Sequence, residues 1–305
     1  MTAVVTTRAL TKRYGSVTAV EDLSLEVFEG DLFGFLGPNG SGKTTTLRML
    51  LGLVYPTAGD IEVLGLHVPA AMPSVLSRIG SLIEGPGFYP HLSGRANLAI
   101  MDASGAGSER ASRRRRIGDA LEQVMLAKTG RLPYRAYSTG MKQRLGLAGA
   151  LLRPHELLIL DEPTNGLDPA GTREVRDLLV ELVKKGTTIM LSSHLLGEIE
   201  LICTRVAVVH RGRLIAQARV DELLGPTGRV RIVTPDLDAT ERVLNSIAST
   251  HIATRQPNAI VAELNGLATD ELTVWLVEGG VRVHELIAER PRLEDVFLKL
   301  TSETG

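Results

Sequence analysis

The segment that most restricts this chain is Gly37-Pro38-Asn39-Gly40-Ser41-Gly42-Lys43-Thr44, a complete G-x-x-x-x-G-K-S/T spacing. Glycine makes up 31 of the 305 residues, so an accidental match is on the order of a per cent before the flanks are counted. Asp31–Leu36 before it is a short apolar run of strand type, and Lys43–Leu53 after it has helical composition. A strand, a glycine loop and a helix in that order make an anion cradle. Glycines let successive backbone N–H groups turn inward around phosphate oxygens, and the helix adds its positive end. Lys43 is expected to reach the β- and γ-phosphates. Thr44 is expected to offer its hydroxyl to Mg²⁺, with Thr45 following it at the helix start.

Downstream, Leu157–Leu160 is a continuous apolar run suited to a strand buried on both faces, and Thr187–Leu191 and Val206–Val209 are two more. Helical Arg173–Lys184 lies between the first two, which is the alternation of a parallel α/β sheet. The N-terminus reads as strands, Ala3–Leu10 and Ala19–Val27, with Gly15 and Gly30 as turn signals. A helical insertion is predicted from about Gly107 to Gly130, with Ile117, Leu121, Val124 and Met125 at helix spacing. The cluster Gly225-Pro226-Thr227-Gly228 marks a boundary between a large domain, 1–224, and a small one, 225–305. In the small domain Arg229–Val233, Asp238–Ser249, His251–Arg255, Ala259–Leu264, Thr269–Val277 and Val281–Leu286 spell β-α-β-β-α-β. That is the ferredoxin-like order, closed here by a helix over Arg292–Leu300.

The net charge of −1 is not the strongly basic balance of a nucleic-acid binder, so no nucleic-acid partner is expected. The longest apolar stretches, such as Leu195–Val209, are broken by Glu198, Glu200 and Arg205, well short of the ~20 residues a spanning helix needs. No basic segment followed by an apolar core opens the chain, so a cytoplasmic protein is expected, with any membrane role left to a partner. Cys203, the one cysteine, follows Leu201 and Ile202 and reads as a small buried side chain. Arg113–Arg116 is the most basic run. Four adjacent residues point all round a helix, so it reads as a solvated face, with contact to lipid headgroups or a membrane subunit as the other reading.

Leu157-Leu158-Ile159-Leu160-Asp161-Glu162 ends an apolar strand in two adjacent carboxylates. Strands often finish in acidic residues at the surface, but beside a phosphate loop the pair reads as chemistry. Asp161 is expected to hold Mg²⁺, directly or through water, and Glu162, on the other side of the strand end, to polarise the attacking water. Positioning and charge stabilisation supply most of the gain in phosphoryl transfer, so few groups suffice.

Tyr137-Ser138-Thr139-Gly140-Met141-Lys142-Gln143-Arg144 resembles the signature segment of ABC (ATP-binding cassette) ATPases. Asp161-Glu162-Pro163-Thr164-Asn165-Gly166-Leu167-Asp168 resembles that family's acidic strand end running into its D-loop. His194, in Leu191-Ser192-Ser193-His194, stands where the family has its switch histidine, and Tyr14, in Lys12-Arg13-Tyr14-Gly15, where an aromatic ring stacks on adenine. With the phosphate loop, these elements follow the family order over about residues 1–220.

The resemblance implies the ATP-hydrolysing subunit of a membrane transporter: an α/β phosphate-loop cassette with a β-rich N-terminal part and a helical insertion, plus the small α+β domain. It implies ATP and Mg²⁺, with nucleotide contacts from Tyr14, the loop Gly37–Thr45, Ser138, Gly140, Asp161 and Asp168. Lys43, Glu162 and His194 become the catalytic residues, and Thr44, Asp161 and Glu84 surround the metal. A separate transmembrane permease is implied, holding the chain at the cytoplasmic face of the cell membrane. A second copy is implied too, because in the family the signature helix N–H groups and serine hydroxyl grasp the γ-phosphate held by the other cassette.

Two departures stand out. The usual signature is Leu-Ser-Gly-Gly-Gln; here Tyr137, Thr139 and Met141 replace its first, third and fifth positions, while Ser138 and Gly140 remain. The family's Q-loop glutamine is absent, and aligning Ile79–Glu84 with that loop puts Glu84 in its place. Glu84 keeps the length and an oxygen ligand; a solvated loop residue is the other reading. The single cassette, the run Glu84–Leu92 and the ending Leu293–Leu298 resemble the drug- and peptide-antibiotic exporters of the daunorubicin and bacitracin-resistance type. Leu293, Val296, Phe297 and Leu300 also fall at helical core spacing, so packing would account for them equally. A soluble ABC ATPase acting on ribosomes or DNA usually carries two cassettes or a long coiled coil, and this chain has one phosphate loop and no sustained heptads. A GTPase would need an Asn-Lys-x-Asp segment, which is missing.

Overall fold

The computed structural model describes residues 2–85, 87–105, 110–225, 228–289 and 291–302. Pro86, Gly107, Pro226 and Thr227, which entered the loop, insertion and boundary expectations, lie outside the described residues. The chain divides into two compact units, Met1–Val220 with Leu300–Gly305, and Asp221–Lys299.

The first unit opens with β1 (Ala3–Tyr14) and β2 (Val17–Phe28), an antiparallel hairpin that turns at Gly15, where φ is 57°. Both strands outrun the sequence expectation, because pairing continues through Lys12, Arg13 and Tyr14, which carry no apolar signal. β3 (Leu32–Leu36) is buried at every residue and leads through the glycine loop into α1 (Lys43–Leu50). That helix stops short of Leu53, and Gly52, at φ 65°, carries the chain away. β4 (Ala58–Val63), β5 (Leu66–Val68), the short α2 (Met72–Leu76) and β6 (Ile79–Leu82) follow. Next, α3 (Gly94–Ser104), α4 (Arg113–Gln123) and α5 (Thr139–Ala150) pack on one another.

The helical insertion thus starts earlier than expected, with α3. Its apolar signal is weak, since Leu98 is buried while Ile100 and Met101 are exposed; Ser93 marks its start by accepting from the Ala96 N–H at 3.2 Å. Met125, placed at helix spacing with Ile117, Leu121 and Val124, is exposed beyond the helix end at φ 59°. β7 (Leu157–Asp161), α6 (Pro169–Lys184), β8 (Thr188–Ser193), α7 (Leu196–Ile202), β9 (Arg205–His210) and β10 (Arg213–Arg219) complete the unit, and α8 (Val220–Leu223) follows.

The six-stranded sheet runs β10-β9-β3-β8-β7-β6, parallel except for β10 on its edge. β3, β7 and β8 are buried throughout, as strands covered on both faces must be. A four-stranded antiparallel sheet, β2-β1-β4-β5, shares one core with it. Leu10, Val20 and Val63 meet Phe33, Phe35, Leu47, Leu50 and Met190 there, each such side chain contributing about 2 kcal/mol. Cys203 is buried as expected: a Cβ at Gly34 of β3 would meet its Sγ at 3.2 Å, and burial pushes the thiol pKa up. Among the described residues no helix is long and apolar enough to cross a membrane.

The second unit contains β11 (Arg229–Val233), α9 (Leu237–Ser246), β12 (Thr250–Gln256), β13 (Ala259–Leu264), α10 (Thr269–Glu278) and β14 (Glu285–Ala288). Its sheet, β12-β13-β11-β14, is antiparallel throughout, which is the ferredoxin-like arrangement. The last strand begins later than Val281, because Val281 packs into the core with Leu272 and Leu276 and pairing starts at Glu285. α11 (Leu293–Ser302) closes the chain, with Leu293 buried and Leu298 exposed.

The arginine run corrects the expectation of a solvated face for Arg113 and Arg116. Arg113 Nε and Arg116 Nη2 donate to the Asp102 carboxylate at 2.9 and 2.7 Å, and Arg153 lies at 3.7 Å. The Asp102 side chain, near the end of α3, is completely buried. Arg113 and Arg116, one turn apart on α4, are drawn to it while Arg114 and Arg115 stay exposed. Removing one partner of a buried pair leaves the others uncompensated, so Asp102→Ala should lower the free energy of unfolding by roughly 3 kcal/mol. Urea denaturation reads this as a lower midpoint at unchanged slope; a loss below about 0.5 kcal/mol would mean the cluster behaves as a surface ion pair.

Candidate nucleotide site at the strand ends

β3, β8 and β7 are adjacent and parallel, so their carboxyl ends meet on one edge, the place where open α/β sheets bind ligands. The glycine loop leaves β3 there, Asp161-Glu162 ends β7, and His194 follows β8. Leu36 pairs with Ser193 and Asp161 with Ser192, which brings three distant segments of sequence to one site.

The loop is shaped by close backbone approaches. Gly40 and Gly42 have φ of 81° and 100°, a region glycine enters without penalty. A Cβ at Gly42 would stand 2.5 Å from the Ala19 carbonyl oxygen of β2, and one at Gly37 would collide with the Val209 carbonyl of β9. Ser41 is 3% exposed and its Oγ has no hydrogen-bond partner, an orphaned polar atom within the cradle. Lys43 donates from Nζ to the carbonyls of Gly37 at 2.6 Å and Pro38 at 3.2 Å, so the ammonium reaches from α1 back to the loop's start. Burial lowers the Lys43 pKa from the ordinary lysine value, while Glu162 and Asp161 act in the opposite direction.

Thr44 Oγ1 donates to Asp161 Oδ2 at 2.9 Å, and Ser192 Oγ donates to Asp161 Oδ1 at 2.5 Å. A hydroxyl beside a carboxylate is a hard oxygen pair of the kind that suits Mg²⁺ when phosphate oxygens complete the shell. Among the described residues no group of three or more His, Cys, Asp or Glu side chains could hold a metal ion by itself.

Glu162 sits in left-handed backbone, φ 49°. Its N–H donates to Ser192 Oγ at 3.0 Å, and its carbonyl accepts from Gln143 Nε2 at 2.9 Å and from the Asn165 N–H at 3.1 Å. Its carboxylate lies 2.7 Å from His194 Nδ1 and 4.0 Å from Lys43 Nζ, and the His194 side chain keeps 40% exposure. Lys43, Thr44, Asp161, Glu162 and His194 are therefore brought together. Sequence reasoning missed Ser192 and Gln143. The available signal for Ser192 was its place two residues before His194, on an apolar strand next to β7; Gln143 lies within the signature-like segment Tyr137–Arg144, but no spacing there points to Glu162.

Tyr14 ends β1 with its ring half-exposed and Lys12 Nζ 4.9 Å from the ring centroid. Glu84, at φ 55°, forms an ion pair with Arg48 of α1, so it is tied to the helix that carries Lys43 and Thr44. Ser138 caps α5, accepting from the Met141 N–H at 3.2 Å, and Asp168 caps α6, accepting from Gly171 N–H at 2.8 Å. Tyr137 is buried and donates to the Thr129 carbonyl at 3.0 Å. The start of α5 is thus intact despite Tyr137, Thr139 and Met141. Ser138, Gly140, Met141, Leu167 and Asp168 line a cavity of about 570 Å³.

The family model described as ABC transporter matches residues 20–165. The chain is 40% identical, over 98% of its length, to a bacitracin transport ATP-binding protein of Bacillus licheniformis, 98% of which is covered. The chain belongs to the ABC transporter family. It is also 38% identical, over 96% of its length, to a daunorubicin resistance ATP-binding protein of Streptomyces coeruleorubidus, covering 94% of that protein. Among solved structures, the ATP-binding subunit of an ABC transporter matches with a TM-score of 0.65 at 28% identity, over 72% of this chain and 91% of that one. The cassette fold and the kinship with antibiotic-resistance ATP-binding proteins, both expected from the motifs, hold.

In this ABC protein the two left-handed glycines of the loop separate backbone strain from crowding. Space is open where a Cβ at Gly40 would go, whereas at Gly42 the Ala19 carbonyl is in the way. Gly40→Ala should cost about 1 kcal/mol, the cost of a left-handed alanine. Gly42→Ala should cost at least about 2 kcal/mol, since backbone must also shift. Equal losses in chemical denaturation would mean that β2 does not brace the loop.

Proposed function

We propose that this chain hydrolyses ATP at the cytoplasmic face of the cell membrane, bound to a separate transmembrane permease, and so powers export of a drug-like or peptide antibiotic. The observation that carries the reading is the meeting of Lys43, Thr44, Asp161, Glu162 and His194 at the ends of adjacent strands. Kinship with the bacitracin and daunorubicin proteins supports the class of cargo.

In this reading Tyr14 stacks on adenine and the N–H groups of Gly37–Thr45 take the phosphates. The unpartnered Ser41 hydroxyl gains an acceptor, and Lys43 exchanges the Gly37 and Pro38 carbonyls for β- and γ-phosphate oxygens. Thr44 and Asp161 would hold Mg²⁺, with Glu84 contributing from its loop. Bound there, Mg²⁺ supplies neutralisation of the phosphate charge. Glu162 takes a proton from water as the water oxygen bonds to the γ-phosphorus and the bond to the bridging oxygen of ADP breaks. His194, in contact with the same carboxylate, keeps it aimed.

Ser138, Gly140 and Asp168 meet the nucleotide of a second copy, so two chains close head to tail around two ATP molecules. An apolar groove of about 420 Å³, lined by Leu53, Ile83, Phe88, Tyr89, Ile100 and Met101, lies next to Glu84 along the chain and suits a permease segment. Leu53, Tyr89, Ile100 and Met101 are exposed there, an apolar patch of the kind that marks an interaction surface.

Glu162→Gln tests the chemistry. The variant should bind ATP, hydrolyse it at least about a hundredfold more slowly, and accumulate as a dimer with Mg-ATP in size-exclusion chromatography. Wild-type turnover, or monomers throughout, would overturn the reading. Glu84 is tested by ATPase rate with and without the permease across a Mg²⁺ titration. Glu84→Gln should retain most activity, while Glu84→Ala should lose Mg²⁺ dependence or permease stimulation at unchanged ATP affinity. An alanine variant identical to wild type in both would place the Q-loop role elsewhere.

A further inference from the structure

We propose that Gln143 is a positioning residue for hydrolysis: its bond to the Glu162 carbonyl ties the signature helix α5 to the proton acceptor of the same chain. The inference rests on the reading of Glu162 as the group that takes the proton from water.

Glu162 occupies left-handed backbone at φ 49°, a conformation that a side-chain-bearing residue keeps only when its surroundings impose it. Three hydrogen bonds impose it. The Asn165 N–H reaches the Glu162 carbonyl from within the same turn, so it shapes the turn without fixing it to anything else. Ser192 Oγ takes the Glu162 N–H and also grips Asp161, which fastens the residue to the sheet. Gln143 Nε2, at 2.9 Å from the carbonyl, is the link that leaves the sheet and reaches the helical insertion.

The rest of α5 fits the same turn closely. A Cβ at Gly166 would meet Thr139 Cγ2 at 2.8 Å and one at Gly140 would meet Leu167 Cδ2 at 3.2 Å, while Arg144 pairs at 2.6 Å with Glu174 of α6, the helix that follows the turn. Signature helix and turn are therefore packed against each other, and in this proposal a displacement of α5 reaches Glu162 through the amide of Gln143. Rotation of the Glu162 peptide swings its carboxylate relative to His194 Nδ1, now 2.7 Å away. A carboxylate that must meet one water needs this orientation held closely, since small misplacement of a reacting group is costly in rate. On this account the segment that meets the partner's nucleotide also sets the readiness of its own site.

The test is a double-mutant cycle on the full chain, read by steady-state and single-turnover ATPase assays. Gln143→Met keeps size and removes the donor; Gln143→Glu, which cannot donate when ionised, serves as the second variant should methionine disturb folding. Either should lower kcat about tenfold or more, with ATP KM and Kd within about twofold of wild type and Mg-ATP-dependent dimers retained in the Glu162→Gln background. Added to Glu162→Gln, the change at Gln143 should cause no further loss, because the group it positions is already gone. Unchanged kcat in the single variant, or a loss that multiplies in full with that of Glu162→Gln, would overturn the proposal. Failure of the Glu162 reading shows separately, as wild-type turnover in Glu162→Gln before Gln143 is touched.

Discussion

The backbone of the glycine loop is wedged between two sheets, and the site is arranged around that wedge. Gly42 abuts the Ala19 carbonyl of β2, Gly37 abuts the Val209 carbonyl of β9, and the Ser41 carbonyl accepts from the Gly212 N–H at 3.1 Å. Gly212 in turn accepts from the Glu21 N–H at 2.8 Å, which links the turn after β9 to β2. Main chain meets main chain at each of these points, so the cradle's shape does not depend on side-chain rotamers. α1 grows from the wedge, and with it Lys43 and Thr44 acquire fixed starting positions opposite Asp161 and Glu162.

The parts that could be read from sequence are those written in local pattern. The glycine loop, the apolar run ending in Asp161-Glu162 and the β-α-β-β-α-β order of the second unit need only residues near one another in the chain. Contacts made by sheet order are different. Ser192 meets Asp161 because β8 lies between β3 and β7, and no spacing in the chain expresses that order. Gln143 reaches Glu162 from the insertion. Arg48 pairs with Glu84 across the loop that follows β6. The arginine run is of the same kind: the partner of Arg113 and Arg116, Asp102, is buried on another helix, and nothing in the run itself distinguishes these two from the exposed Arg114 and Arg115.

The unusual signature keeps the features on which helix initiation depends. Capping needs one side-chain oxygen before the first turn, and Ser138 supplies it whatever stands at positions 137, 139 and 141. Tyr137 brings a hydroxyl into the interior, where the Thr129 carbonyl satisfies it. Its ring also continues an aromatic contact line: Tyr137 and Tyr134 have centroids 5.9 Å apart, and Tyr134 meets Phe88 of the apolar groove edge-on at 5.5 Å. Groove and signature thus share one packed stretch of the cassette.

Asp102 is enclosed completely while Arg113, Arg116 and Arg153 keep part of their surface in water. Dissolved ions can screen the outer sides of those guanidinium groups, over a length of about 8 Å at physiological ionic strength, but they cannot reach the carboxylate between them. The joint between α3 and α4 accordingly keeps its stiffness as the salinity of its surroundings changes, whereas an open pair such as Lys185–Glu181 on the surface weakens with each rise in salt.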